Sequence, residues 1–276
     1  MQNLIDLLRK TTSVATDDVA QLTKKNFNDN YGYAGKPVNF TNAFQDMPIK
    51  IKWTHEYLSK TLVKQEKIEN TNDESAPLYI SYADYLNISE PHLYFKTSGL
   101  LSAEIKEDYH IPEAFNCWYS NTKLGAPKTN LSWIYAGNAG TGSQIHRDIW
   151  WSSAWNYLLK GKKLWLIYPA IYSEAIKKNI SEYQINPNLE DWSEVINLPY
   201  KPLTCIQNAG DMIFVPGDCY HQVINLEWTL SLTENFINET NYDLVRTYFR
   251  NSGNRDNLSK IEMIVRKGFE QLEAQK

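Results

Sequence analysis

The chain has 276 residues, 42% of them hydrophobic and 13% aromatic, and a formal net charge of −4. This length accommodates one globular domain with additions, and the charge excludes a general pull toward nucleic acid or anionic membranes, leaving at most a local basic patch such as Lys160 to Lys163. Three cysteines, at 117, 205 and 219, are few and odd in number, which excludes a disulfide scaffold and points to free thiols in a reducing compartment.

In chain order, the N-terminal stretch lacks the long apolar run of a signal peptide. Leu4, Ile5, Leu7 and Leu8 instead predict a short amphipathic helix. Residues 1 to about 65 alternate short helices with one strand, Pro37 to Thr41. Residues 53 to 62 read as a helix with Tyr57, Leu58 and Leu62 on one face. Residues 63 to about 132 are mixed and polar, with a loop signal from Asn70 to Ser75. Residues 133 to 238 are rich in strands punctuated by turns, interrupted by a helix-like insert at about 170 to 195. From 240 onward, Leu244, Val245 and Tyr248, then Leu258, Ile261, Val265, Phe269 and Leu272, recur at helical spacing. No stretch approaches the roughly 20 apolar residues of a membrane span, and the expected location is the cytoplasm.

Two of these segments carry chemistry. In TGSQIHRDIW, His146 and Asp148 stand two apart, and on a strand residues i and i+2 share a face. In GDMIFVPGDCYHQVINL, His221 follows a Pro216-Gly217 turn. Two histidines and one carboxylate with open positions form the ligand set of non-heme Fe(II) oxygenases. A His-x-Asp alone is more often an accident or a structural hydrogen-bonded pair than a metal site. The surroundings favour a site: Asn156, Gly161-Lys162-Lys163 and the apolar run Leu164 to Tyr168, stopped by Pro169, are what a closed β-barrel needs. Cys219 reads as a small barrel residue, since a zinc site would want closer Cys/His spacing.

These segments resemble the Jumonji-C oxygenases of the cupin superfamily, and within them the lysyl-hydroxylase branch formerly called phosphatidylserine receptor. The motifs are His146-x-Asp148, Ser153-Ala154-Trp155-Asn156, Gly161-Lys162-Lys163, Gly210-Asp211-Met212-Ile213-Phe214-Val215-Pro216-Gly217 leading to His221, Asn225-Leu226, and Thr233-Glu234-Asn235-Phe236. The resemblance spans about residues 35 to 240. One departure is Asp218, which replaces a family glycine in the turn before His221.

The resemblance implies an α+β chain: a double-stranded β-helix (cupin, jelly-roll) barrel at about 133 to 238 within an oxygenase domain of residues 1–240, with helical additions at both ends, the last at 241–276. It implies His146, Asp148 and His221 as metal ligands and catalytic centre. It also implies Fe(II), O2 and the cosubstrate 2-oxoglutarate, with Lys163 pairing with the distal carboxylate. Asn156, Thr233, Ser143 and Asn235 are expected around the same cosubstrate. Composition by itself would leave Lys163 a surface residue beside Lys160 and Lys162, and the alternation of Ser231, Thr233 and Asn235 with Leu230, Leu232 and Phe236 would equally suit a solvated strand face. Tyr94, in Pro-His-Leu-Tyr-Phe upstream of Glu107-Asp108-Tyr109, matches a cosubstrate-binding tyrosine; Tyr79, after Pro77-Leu78, is a rival.

The activity implied is oxidative decarboxylation of 2-oxoglutarate to succinate and CO2, coupled to hydroxylation of a C–H bond. An amino-acid side chain in a peptide or protein, Lys first and Arg second, is the expected substrate. The rivals are the same chemistry on tRNA or a free small molecule, and a non-catalytic cupin-like binding protein, which loss of a ligand would signal. The C-terminal stripe points either to a homodimer interface or to packing on the chain's own helices.

Overall fold

The computed structural model of the chain describes residues 2–70, 78–98, 101–122, 129–185, 192–253 and 255–274. Its strands, in chain order, are β1 (Thr12–Ser13), β2 (Ala15–Asp18), β3 (Val38–Thr41), β4 (Glu66–Asn70), β5 (Leu78–Ile80), β6 (Leu93–Lys96) and β7 (Ser132–Gly137). They continue as β8 (Gly142–His146), β9 (Ser153–Lys160), β10 (Lys162–Ile167), β11 (Leu203–Asn208), β12 (Met212–Val215), β13 (His221–Asn225) and β14 (Thr229–Phe236). They form two sheets, one ordered β1-β11-β10-β13-β8, the other β2-β3-β12-β9-β14-β7-β6-β4-β5. Apart from β1–β11 and β2–β3, which are parallel, neighbouring strands run antiparallel.

The two sheets face each other as a jelly roll and are not joined by strand pairing into one closed barrel among the described residues. Side-chain alternation decides what each face does. On β10, Leu164 and Leu166 turn outward to a cluster with Leu7, Trp192 and Val195, while Lys163 and Trp165 turn into the space between the sheets. On β14, Leu230, Leu232 and Phe236 join the main core, an aromatic-rich cluster that includes Phe27, Phe115, Trp155 and Phe214. The polar face of β14 is not solvated: Ser231 and Asn235 are buried.

The helical additions cover the outer surfaces. The first helix, Gln2–Lys10, seals the five-stranded sheet with Leu7 fully buried, while Ile5 remains exposed. The helix expected at 53 to 62 spans His55–Thr61, capped by the Thr54 hydroxyl and anchored by buried Leu58. The insert between the metal-bearing segments contains helices Ser173–Lys178 and Ser193–Asn197; its residues 186–191 lie outside the described set, as does most of the loop expected from Asn70 to Ser75.

The C-terminal segment forms helices Tyr242–Asn251 and Arg255–Glu273. Ile261 and Val265 are buried within the chain's own core. A Cβ on Gly268 would lie 1.5 Å from the Trp118 carbonyl oxygen, so the long helix touches the short helix Trp118–Asn121 at its backbone. Most of the apolar stripe is thus consumed by intrachain packing, leaving Met263 and Phe269 exposed.

Candidate metal centre and cosubstrate cavity

The antiparallel ladder between β8 and β13 brings His146 and His221 opposite each other as Cα partners, with ring centroids 4.3 Å apart. The ligand atoms of His146, Asp148 and His221 all lie within 4.8 Å of one another. The expected strand does not reach Asp148. β8 ends at His146, and Asp148 begins a tight turn, Ile149–Trp151, in which Trp150 and Trp151 adopt φ of 58° and 55°. Such left-handed backbone costs an ordinary residue of order 1–3 kcal/mol. Aromatic packing holds it: Trp150 lies 5.2 Å from Tyr119 and 5.4 Å from Phe249, and Trp151 lies 5.5 Å from Tyr248.

Both imidazoles are oriented in the same way. His146 Nδ1 donates to the Gln144 carbonyl at 2.7 Å, and His221 Nδ1 to the Cys219 carbonyl at 3.0 Å. A carbonyl only accepts, so Nδ1 carries the proton in each ring and Nε2 keeps a free lone pair, the form a metal needs. In each case the acceptor lies two residues before the histidine. Nothing in the residue types announces this, since any residue has a carbonyl. Desolvation, then the neighbouring His221, hold the His146 imidazole below its ordinary range, although 42% of the side chain stays exposed. Burial pushes the Asp148 carboxyl up, opposed by His221 and the Asn235 amide. Asp148 Oδ2 is buried without a hydrogen-bond partner, a deficit that a ligand or ion fills in a native site. Orphaned carboxylate oxygen, two freed imidazole nitrogens and their mutual distances fit a divalent cation.

Next to these ligands lies a cavity of about 410 Å³, counting its open mouth, lined by Tyr94, Ser143, Asn156, Lys163 and Thr233 together with the triad. Lys163 is 1% exposed. Its Nζ donates to Ser231 Oγ at 2.8 Å and to the Tyr94 hydroxyl at 3.4 Å, and no carboxylate pairs with it among the described residues. Burial pushes its ammonium down to about 7. The two glycine-flanked lysines separate by strand parity: the hairpin glycine Gly161 has φ of 82°, and a Cβ there would lie 2.1 Å from the Trp228 carbonyl oxygen, so only glycine fits. Lys162 and Lys163 then face opposite ways, Lys162 pairing with Glu227 on the surface at 3.2 Å.

Asn156 Nδ2 donates to Thr233 Oγ1 at 2.7 Å while Asn156 Oδ1 has no partner. Tyr94 is 1% exposed and stacked on Tyr135, whereas its rival Tyr79 is 58% exposed on the edge strand β5, which removes Tyr79 from the site. Asn235 stands apart from the cavity wall. Its amide donates to Ser152 Oγ at 3.1 Å, beside Asp148, so it belongs to the metal end rather than to the cosubstrate end. Tyr135 and Trp165 also line the cavity and were not singled out from sequence, because in a chain with 18 tyrosines and 9 tryptophans neither type carries a signal.

A family model described as "JmjC domain, hydroxylase" matches residues 133–236, the interval that holds all three ligands. Those residues form a JmjC domain. The chain is 30% identical over 256 residues to the bifunctional arginine demethylase and lysyl-hydroxylase psr-1 of Caenorhabditis elegans, covering 84% of this chain and 63% of that one. It is 37% identical over 175 residues to the human 2-oxoglutarate and iron-dependent oxygenase JMJD4, covering 59% and 42%. It is 26% identical over 238 residues to the arginine-specific demethylase JMJ22 of Arabidopsis thaliana, covering 81% and 46%. The chain spans between 42% and 63% of the length of these relatives.

Proposed function

We propose that this JmjC protein is an Fe(II)- and 2-oxoglutarate-dependent oxygenase that hydroxylates an amino-acid side chain, Lys before Arg, in a peptide or protein. One observation carries the reading: three ligand atoms within 4.8 Å of one another share a cavity with a buried lysine that no carboxylate neutralises. A metal centre and an anion site in one cavity suit a cosubstrate that bridges them. The names of the relatives, lysyl-hydroxylase and arginine demethylase among them, support the substrate class.

His146 Nε2, His221 Nε2 and Asp148 Oδ2 would hold the iron, leaving positions open as an oxygenase site requires. Bound iron with 2-oxoglutarate and dioxygen supplies the oxidising power for C–H hydroxylation, with succinate and CO2 as co-products. The chain's own part is binding and orientation. Lys163 offers a buried ammonium to the distal carboxylate, held in place by Ser231 and Tyr94. Thr233 and the unpartnered oxygen of Asn156 would add polar contacts, and Ser143 lines the same cavity from β8. Ala154, Trp165, Val215 and Val223 line the same cavity as the triad and would limit water around a bound metal.

The test is incubation of the purified chain with Fe(II), ascorbate, 2-oxoglutarate and lysine- or arginine-containing peptides, measuring succinate and a mass gain of one oxygen on the peptide. No succinate with any substrate, with wild-type metal binding intact, would favour a binding protein; oxygen transfer to tRNA or a free amino acid instead would overturn the peptide assignment. Three buried free thiols support a reducing, cytoplasmic setting. We also propose that exposed Phe269 and Met263, flanking Tyr242 and Arg246 on the outer helical face, pair two copies. Light scattering at tens of micromolar chain tests it, and a monomer refutes it.

A further inference from the structure

One side chain on the outer side of the metal centre spans both ligand-bearing segments. Arg147 lies between His146 and Asp148, and adjacent residues in extended chain face opposite ways, so it leaves the cavity as its neighbours enter it. Its Nη1 donates to Asp218 Oδ1, in the turn before His221. The same guanidinium stands 4.6 Å from the Trp151 ring centre and 4.8 Å from that of Tyr220. It is therefore held between one ring from the Asp148 segment and one from the His221 segment, an arrangement that suits a planar guanidinium, which stacks on aromatic faces while it pairs with a carboxylate, better than an ammonium. Only 10% of the Arg147 side chain and 23% of that of Asp218 are exposed. A Cβ on Gly217 would lie 2.2 Å from the Trp151 carbonyl oxygen, so the two segments also meet at their backbones.

Asp218 stands where the resembling turns have glycine, and its φ is 62°. Glycine adopts that conformation freely, whereas aspartate does so at some cost. A largely buried ion pair is itself a weak source of net stability. Stability therefore does not explain the aspartate; geometry does. The sheet ladder fixes His146 against His221 but ends there, and Asp148 lies beyond it. No rung of the sheet sets Asp148 relative to the His221 turn. The Arg147–Asp218 pair is the next side-chain rung.

We propose that Arg147 and Asp218 are positioning residues: a clasp between the two ligand-bearing segments that sets the affinity of the His146–Asp148–His221 centre from outside it. This rests on the metal reading given above. The test uses Co(II) alone as probe, titrated into the full chain and into Asp218→Gly, Arg147→Ala, Arg147→Lys and the Arg147→Ala/Asp218→Gly double variant. Calorimetry gives the affinity and visible absorption the ligand geometry, and thermal unfolding is followed without metal.

Asp218→Gly relieves the backbone while removing the carboxylate. The expected result is a roughly 10- to 100-fold weaker Co(II) affinity, the range of outer-shell changes at metal sites, with a metal-free melting temperature equal to or above wild type. Arg147→Lys should lose most of the same affinity, and the double variant no more than the worse single one, because the two act as a unit. Asp218→Gly binding Co(II) as tightly as wild type, with an unchanged spectrum, would overturn the clasp even if Arg147→Ala fails to fold. Additive losses in the double variant would overturn it as well. A wild-type chain that binds no Co(II) would instead remove the metal reading, and the clasp with it.

Discussion

The two ends of the cavity are built on opposite principles. At the metal end, each histidine is fixed by a carbonyl of its own strand or turn two residues back, so ligand geometry is written into the backbone before any metal arrives. At the other end, Lys163 is a buried cation steadied by two hydroxyls and by the rings of Tyr94 and Tyr135, 5.9 and 5.8 Å away, and its electrostatics are complete only with an anion. The first end is preorganised; the second is held in deficit. Substitutions at the metal end should therefore act on binding and chemistry, whereas substitutions at Lys163 should separate stability from function.

The largest effect is expected at the metal end. Asp148→Ala removes the one ligand with an orphaned oxygen and should lower metal affinity by more than the roughly 100-fold that outer-shell changes reach, abolishing succinate formation. Calorimetric titration with Co(II) and a succinate assay check it; retained affinity would break the triad. Next comes Lys163→Met. Leaving a bound carboxylate without its buried partner costs about 3–5 kcal/mol, so the Michaelis constant for 2-oxoglutarate should rise about 100- to 4,000-fold, at ~1.4 kcal/mol per tenfold. The ligand-free variant should nonetheless melt higher than wild type, because an uncompensated buried cation is gone. A variant that loses stability and keeps its Michaelis constant would invert the comparison.

The same deficit sets a pH signature. Burial lowers Lys163 from 10.5 to about 7, so between those values the unfolded chain holds a proton that the folded chain has released. Stability of the ligand-free protein should then rise as pH goes from about 7 toward about 10.5, relative to Lys163→Met, because the unfolded state binds more protons there. For the same reason, 2-oxoglutarate should bind with proton uptake above pH 7, visible as a binding enthalpy that depends on buffer ionisation. A pH-independent difference between the two proteins, with no proton uptake, would place a neutralising group beside Lys163.

The smallest effect belongs to the outer face of the wall. On β14, Thr233 faces the cavity, while Glu234 faces the core, accepting bonds from the Tyr109 hydroxyl at 2.6 Å and Ser132 Oγ at 2.9 Å. Tyr109→Phe should cost about 1–3 kcal/mol of stability, the penalty for a buried acceptor losing a donor, and leave Co(II) affinity unchanged. A change in affinity would show that the wall transmits strain inward.

Spacing made the ligands legible: His146, Asp148 and His221 stand out because few residue types bind iron and the chain has only five histidines. The strand-rich segment, the interrupting insert and the C-terminal helices were legible from periodicity for the same kind of reason. Other features were not. β1 and β2, with Thr12–Ser13 and the polar Ala15–Asp18, carry no apolar alternation; they exist because distant strands offer them partners. The left-handed turn at Trp150 and Trp151 contradicts local preference and is sustained by tertiary packing. Lys163 looks like its exposed neighbour Lys162 until the hairpin assigns each a face. The assignment of Asn235 to the cosubstrate rested on strand alternation, which gives the face but not the position along it.

The short stretch from Thr12 to Asp18 crosses from one sheet to the other, adding β1 to the margin of the five-stranded sheet and β2 to the margin of the nine-stranded one. Exposed sheet margins template intermolecular pairing and aggregation. A fragment trimmed to residues 133–236 would uncover β11 on one side, and β12, β9's partner, on the other, since β3 and β1 would be gone together. It would also shed β6, which pairs with β7 and carries Tyr94. Recombinant production of that interval alone should therefore yield inclusion bodies rather than a miniature enzyme, and these seven N-terminal residues act as a guard against self-association, β1 for β11, encoded nearly two hundred positions downstream, and β2 for β3.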